Sequence, residues 1–99
     1  MLNEKQKDPA GIIAGVAFED TFRNICRKNS VCEKDVKLDN LISEIQKKIS
    51  SFSQAKAKRA RVAADVRTRA THAQWDQFTK EDVRATIEIT EEFIQSYLN

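Results

Sequence analysis

The stretch Leu38-Asp39-Asn40-Leu41-Ile42-Ser43-Glu44-Ile45-Gln46-Lys47-Lys48-Ile49 decides the fold class. Leu38, Leu41, Ile42, Ile45 and Ile49 recur at intervals of three and four, and Asp39, Asn40, Glu44, Lys47 and Lys48 face away. That period is the signature of an amphipathic helix with one buried face. A lone helix of this length is marginal in water, so its stripe needs partners elsewhere in the chain.

The partners lie on both sides. Upstream, Ala10 to Lys28 carries Ile12, Ile13, Val16, Ala17, Phe22, Ile25 and Cys26 at helical spacing, with Glu19, Asp20, Arg23 and Arg27 between them. Pro9 suits the first turn of this helix, where a missing N–H costs nothing. Met1 to Asp8 therefore reads as a flexible N-terminus and residues 9–99 as a single domain. Gly11 and Gly15, four apart, suit the close approach of another helix. Asn29 to Val36 reads as a connection.

Downstream, Ser50-Ser51-Phe52-Ser53 breaks the pattern, and Ser53 offers an N-cap for a third helix. This helix is rich in alanine: Ala55, Ala57, Ala60, Ala63, Ala64 and Ala70, with Val62 and Val66. Small residues permit close packing, which places it at the centre of the fold or at a subunit contact. Thr79-Lys80-Glu81-Asp82 reads as a capping box with Asp in the third position. It opens a fourth helix with Val83, Ile87, Thr90, Ile94 and Tyr97 at helical spacing, flanked by Phe93 and Leu98. With only two glycines and one proline, the chain reads as all-α, an antiparallel four-helix bundle. The expected core includes Leu41, Ile42, Ile45, Val62, Val66, Ile87 and Ile94.

The net charge of +2 is too small to argue for a partner, but its distribution is uneven. Six basic residues stand against Asp65 alone between Ser53 and His72; the fourth helix is acidic. Two readings stand side by side: complementary faces of neighbouring helices, and a basic groove for phosphate.

Several classes find no support. One histidine and two separated cysteines make no zinc set, and no cofactor is expected. Cys26, in an apolar helical pattern, reads as a buried thiol. Glycines only at 11 and 15 leave no phosphate loop. No apolar run approaches a membrane span and no signal peptide opens the chain, so a cytoplasmic location is expected.

The chemistry-bearing segment is Arg67-Thr68-Arg69-Ala70-Thr71-His72. It sets the only histidine, a group that titrates near neutral pH, beside fixed positive charge. On an ideal helix, positions 67 and 72 are about 140° apart. They meet only if the helix ends between them, or across a dimer axis. Asp65, Arg69 and His72 do share a face, so an exposed Asp65–Arg69 pair with a histidine at the helix end is the alternative. Trp75 and Phe78 serve either as cover for the open end of the bundle or as a base-stacking platform.

The order of features resembles the small bacterial HEPN-like domains. It runs from a helix ending in Arg-x4-His, through a short aromatic turn, to a capped last helix. The likeness extends to Pro9–Gly15 and Lys37–Ile42, and so covers nearly the whole chain. It implies a helical bundle that often dimerises. In catalytic members the motif Arg and His are the active residues of a metal-independent ribonuclease, which puts Arg67 and His72 in catalytic roles. Thr68 stands where active members commonly carry Asn, Asp or His, and can still hydrogen-bond. Thr68, Arg69, Arg61 and Trp75 become RNA-binding or supporting residues. A homodimer cleft, an RNA substrate, and a role as toxin or defence effector with a cognate antitoxin or other protein partner follow as expectations. The alternative from a different class is a non-catalytic helical dimerisation or adaptor domain that binds protein or nucleic acid.

Overall fold

A computed structural model describes residues 4–99, with side chains from residue 7 onward. The architecture is an all-α four-helix bundle: α1 (Glu4–Lys28), α2 (Leu38–Lys48), α3 (Gln54–Thr71) and α4 (Lys80–Phe93). A single 3₁₀ turn, Trp75–Gln77, lies between α3 and α4, and a wider five-residue turn, Ile94–Leu98, continues α4. α1, α3 and α4 pack on one another, while the short α2 leans mainly on α3.

The helix boundaries follow from local chemistry. Lys56 N–H donates to Ser53 Oγ at 3.2 Å and starts α3. The capping box at α4 is complete: Asp82 N–H donates to Thr79 Oγ1 at 3.1 Å, and Thr79 N–H donates to Asp82 Oδ2 at 3.0 Å. α1 and α3 end by one device. Val31 N–H reaches back to the Cys26 carbonyl, and Gln74 N–H to the Arg69 carbonyl, both at 2.8 Å. Each closure needs one left-handed residue, supplied by Ser30 (φ 62°) and Ala73 (φ 54°) where glycine is usual.

α1 begins earlier than Pro9 suggests. Residues 1–3 of the segment read as flexible lie outside the described residues; from Glu4 the chain is helical, with Pro9 inside the helix. Pro9 removes one backbone donor near the N-terminus, and the tertiary anchor at Lys7 offsets that loss. Lys7 is buried, donates to the carbonyls of Trp75 and Phe78, and sits 5.3 Å from the Phe78 ring centroid.

The main core is aromatic. Phe22 is fully buried, with ring centroids 5.6 Å from Phe18, 6.0 Å from Phe52 and 6.1 Å from Phe93. Leu41, Ile42 and Ile45 of α2 join it as their stripe requires. A second, smaller cluster of Ala14, Val66, Ala70, Phe78 and Val83 closes the other end, with Trp75 packed against it. The aromatic turn thus covers the bundle end.

Three expected core residues are outside. Val62, Ile87 and Ile94 are exposed, and α4 instead buries Val83, Thr86, Ile89, Thr90 and Phe93. Thr86 and Thr90 return their hydroxyls to the carbonyls of Asp82 and Thr86, at 2.8 and 2.7 Å, and so enter the core without unpaired donors. Val62 is displaced because α3 turns its alanines inward. Ala57, Ala60, Ala63, Ala64 and Ala70 are all buried within one chain, which removes the reason for placing a dimer contact on them. Cys26 and Cys32 are free thiols; burial pushes the Cys26 thiol up to about 11.

Gly15 sets the closest helix approach. A Cβ there would lie 2.8 Å from Arg67 Cα and 3.2 Å from its Cβ. Gly15→Ala should therefore push α1 from α3. The expected overpacking cost is about 1–3 kcal/mol, against at most about 1 kcal/mol gained in helix propensity. A urea melt that moves to higher denaturant would contradict this close contact.

Candidate functional site

α3 ends at Thr71, and His72 takes the C-cap position at φ −95°, ψ 14°. The helix therefore stops between the two motif residues, and they need not stand 140° apart. Arg67 and His72 line one open groove of about 530 Å³, shared with Glu19 and Arg23 of α1, Thr68 and Thr71 of α3, and the start of α2 at Lys37–Asp39. A single chain brings them together.

Arg67 is held firmly. Its Nε donates to Glu19 Oε1 at 2.7 Å, and its Nη1 donates to the Thr71 hydroxyl. Glu19 also accepts from Arg23 Nε at 2.8 Å. Arg23 in turn donates to the Glu33 and Val36 carbonyls at 2.6 and 3.0 Å and ties down the α1–α2 connection. Among the described residues, Arg67 Nη2 takes no protein acceptor. Gly15 lies against Arg67 itself, so the same contact that seats α1 on α3 positions this guanidinium.

Burial would raise the Glu19 pKa, but the hydrogen bonds and charges of Arg67 and Arg23 outweigh it and hold the carboxyl below its ordinary 4.5. A depressed carboxylate stabilises the fold above its unfolded pKa, and the gain is lost as pH falls through the lowered value. Glu19→Gln should therefore be less stable than wild type at neutral pH. The gap should narrow as pH falls below the ordinary 4.5 and close once it is below the lowered value, where both chains are neutral at this position. Melting temperatures of both proteins between neutral and acid pH check this; a gap that widens on acidification contradicts the sign.

The remaining candidates are dispersed. Thr68 borders the groove, but its hydroxyl donates back to the Ala64 carbonyl at 3.1 Å. Arg69 stands 3.3 Å from Asp65 Oδ1 and donates to Gln74 Oε1, as a helix-surface pair. Arg61 donates to Ser43 Oγ at 3.0 Å and lies 3.6 Å from Asp39 Oδ1, across to α2. Trp75 is half-buried, edge-on to Phe78 at 6.3 Å, and does not line the groove. Arg59 pairs with Glu92 of α4 at 3.0 Å. The basic helix therefore spends its arginines largely on carboxylates of neighbouring helices. Glu19, Arg23 and Lys37 are the residues the motif alone did not point to. The i,i+4 spacing of Glu19 and Arg23 was the available signal.

Among the described residues no cluster of His, Cys, Asp or Glu could hold a metal ion, and no helix is long and apolar enough to cross a membrane. No protein-family model matches the chain, and no curated protein or solved structure matches it.

Proposed function

We propose that this chain binds single-stranded RNA in the Arg67–His72 groove and cleaves it without a metal. The observation that carries the reading is the convergence of a fixed guanidinium and an exposed imidazole on one groove. Arg67 Nη2 would donate to a phosphoryl oxygen and stabilise charge that grows there during transfer. His72 would move the proton at the ribose 2′-hydroxyl or the leaving oxygen. The 2′-oxygen bonds to phosphorus, the bond to the 5′-oxygen breaks, and the proton released from the hydroxyl ends on that 5′-oxygen. The products are a 2′,3′-cyclic phosphate and a 5′-hydroxyl. DNA, lacking the attacking hydroxyl, is spared. A toxin or defence effector, restrained by a protein partner, is the role this activity suits.

Arg23 and Lys37 widen the positive rim, while Glu19 and Asp39 limit it, so binding should be modest and salt-sensitive. The test is incubation of mixed single-stranded RNA and DNA with the protein in EDTA. RNA cut and DNA intact is the expected result. Both intact favours the second reading, a non-catalytic helical adaptor, for which the exposed isoleucines of α1 are the supporting observation.

A further inference from the structure

Half of the large apolar side chains left in solvent gather along one trough. Val62 of α3 stands apart, in a groove it shares with the charged Lys58, Arg61, Asp65 and Asp82. Ile12 and Val16 form a neighbouring stripe of α1. Ile13 of α1, which is 69% exposed, and Ile87 of α4 line a groove of about 340 Å³ between the two helices, with Ala10, Ala14 and Ala17 on the α1 wall. At Glu91 this groove continues into a second, of about 450 Å³, lined by Glu88, Glu92 and Ile94. Covering exposed apolar side chains is favourable, and a contiguous apolar patch with a polar rim marks an interaction site.

We propose that this α1–α4 trough docks a basic amphipathic helix of another protein. Charge selects the occupant. α1, α2 and α3 each carry a basic residue in the last turn, where a cation meets the negative end of the helix dipole. α4 carries none there, and its last turn holds Glu91 and Glu92. Glu92 pairs with Arg59, but Glu88 and Glu91 are exposed and take no ion-pair partner among the described residues. Asp20, seven residues after Ile13 on the same stripe of α1, is exposed and likewise unpaired among the described residues. Arg84, a turn before Ile87, is the opposing charge and leaves the rim net negative. A second copy of this face would meet it with the same excess of carboxylates, and like charges brought together disfavour that pairing. Shape selects a helix. From Ala10 to Ala17 the α1 wall spans seven residues, about 10.5 Å, the separation of apolar anchors at i and i+7 on a docked helix. The small alanines let its backbone come close, and a lysine or arginine past the last anchor falls at Glu88 and Glu91. The trough shares no lining residue with the Arg67–His72 groove, and its occupancy is independent of RNA cleavage.

Fluorescence anisotropy of labelled synthetic peptides, titrated with the full chain, tests this. The probe is a peptide of about 18 residues, long enough to form helix, with leucines at i, i+3 and i+7 and lysines between them. A second peptide carries glutamate in place of lysine, and a third keeps the composition of the first with its leucine spacing scrambled. Wild type should bind the first at micromolar concentration and the other two far more weakly. Ile13→Ser should weaken that binding by about 30-fold, the loss typical of a central interface residue. Its thermal melt should match wild type, because the side chain is already exposed. Glu88→Lys with Glu91→Lys should reverse the preference and favour the glutamate peptide. No binding of the first peptide, equal binding of all three, or an affinity indifferent to Ile13→Ser overturns the proposal. So does a double exchange that leaves the preference unchanged, or a wild-type chain that self-associates through Ile13 instead.

Discussion

His72→Ala should lower RNA cleavage by about 10²- to 10⁴-fold, the range for loss of a positioned acid–base group. Its thermal melt should be unchanged, because the ring is exposed and its cap is made by backbone N–H groups. Arg67 behaves differently. Arg67→Ala should lower cleavage and also lower the melting temperature, because it strips Glu19 of one of its two guanidinium partners. Arg67→Lys should keep part of the stability and little of the activity. An ammonium can pair with Glu19, but it lacks the planar fork that reaches Glu19, Thr71 and a phosphate at once. The separation of activity from stability at position 72, and their coupling at position 67, identify the roles. Equal losses of stability in both alanine variants would mean that His72 is structural.

Phe22→Ala should be the most damaging single change to the fold. The ring is fully buried and touches three other aromatic rings drawn from α1, the α2–α3 connection and α4. Truncation of a buried Phe costs about 3–5 kcal/mol through lost transfer energy and the cavity left behind. Domains of this size are stable by about 5–15 kcal/mol, so the variant should sit at or near the edge of folding. Leu41→Ala, also fully buried, should cost about 2–5 kcal/mol. A urea melt of Phe22→Ala within about 1 kcal/mol of wild type would contradict the central place of that ring.

The elements whose information is local were legible in the sequence. The α2 stripe, the Ser53 cap and the Thr79–Asp82 capping box all depend on residues within a few positions of each other. The phase of α4 was not. Its sequence carries two overlapping apolar stripes, and the side that packs inward is the one where Thr86 and Thr90 satisfy their own hydroxyls. Hydropathy ranks Ile87 and Ile94 above them, and only the packing partners reverse that order. Pro9 misled for the same reason: Lys7 is anchored to a turn about 70 residues away. Of the site, the motif located Arg67 and His72 but not Glu19, which is 48 residues from Arg67 in the chain. No periodicity links the two, and their meeting depends on Gly15 letting α1 lie against the Arg67 backbone. The alanines of α3 suggested either a central helix or a subunit contact, and burial decided for the centre.

The most direct test of the central claim is the chemistry of the cut ends. Wild-type protein and His72→Ala, each in EDTA, are incubated with a defined single-stranded RNA, and the products are read by mass spectrometry. The account predicts 2′,3′-cyclic phosphate and 5′-hydroxyl ends with wild type and their near absence with His72→Ala. Intact RNA with wild type, 3′-hydroxyl ends, or equal cleavage by both proteins would contradict it.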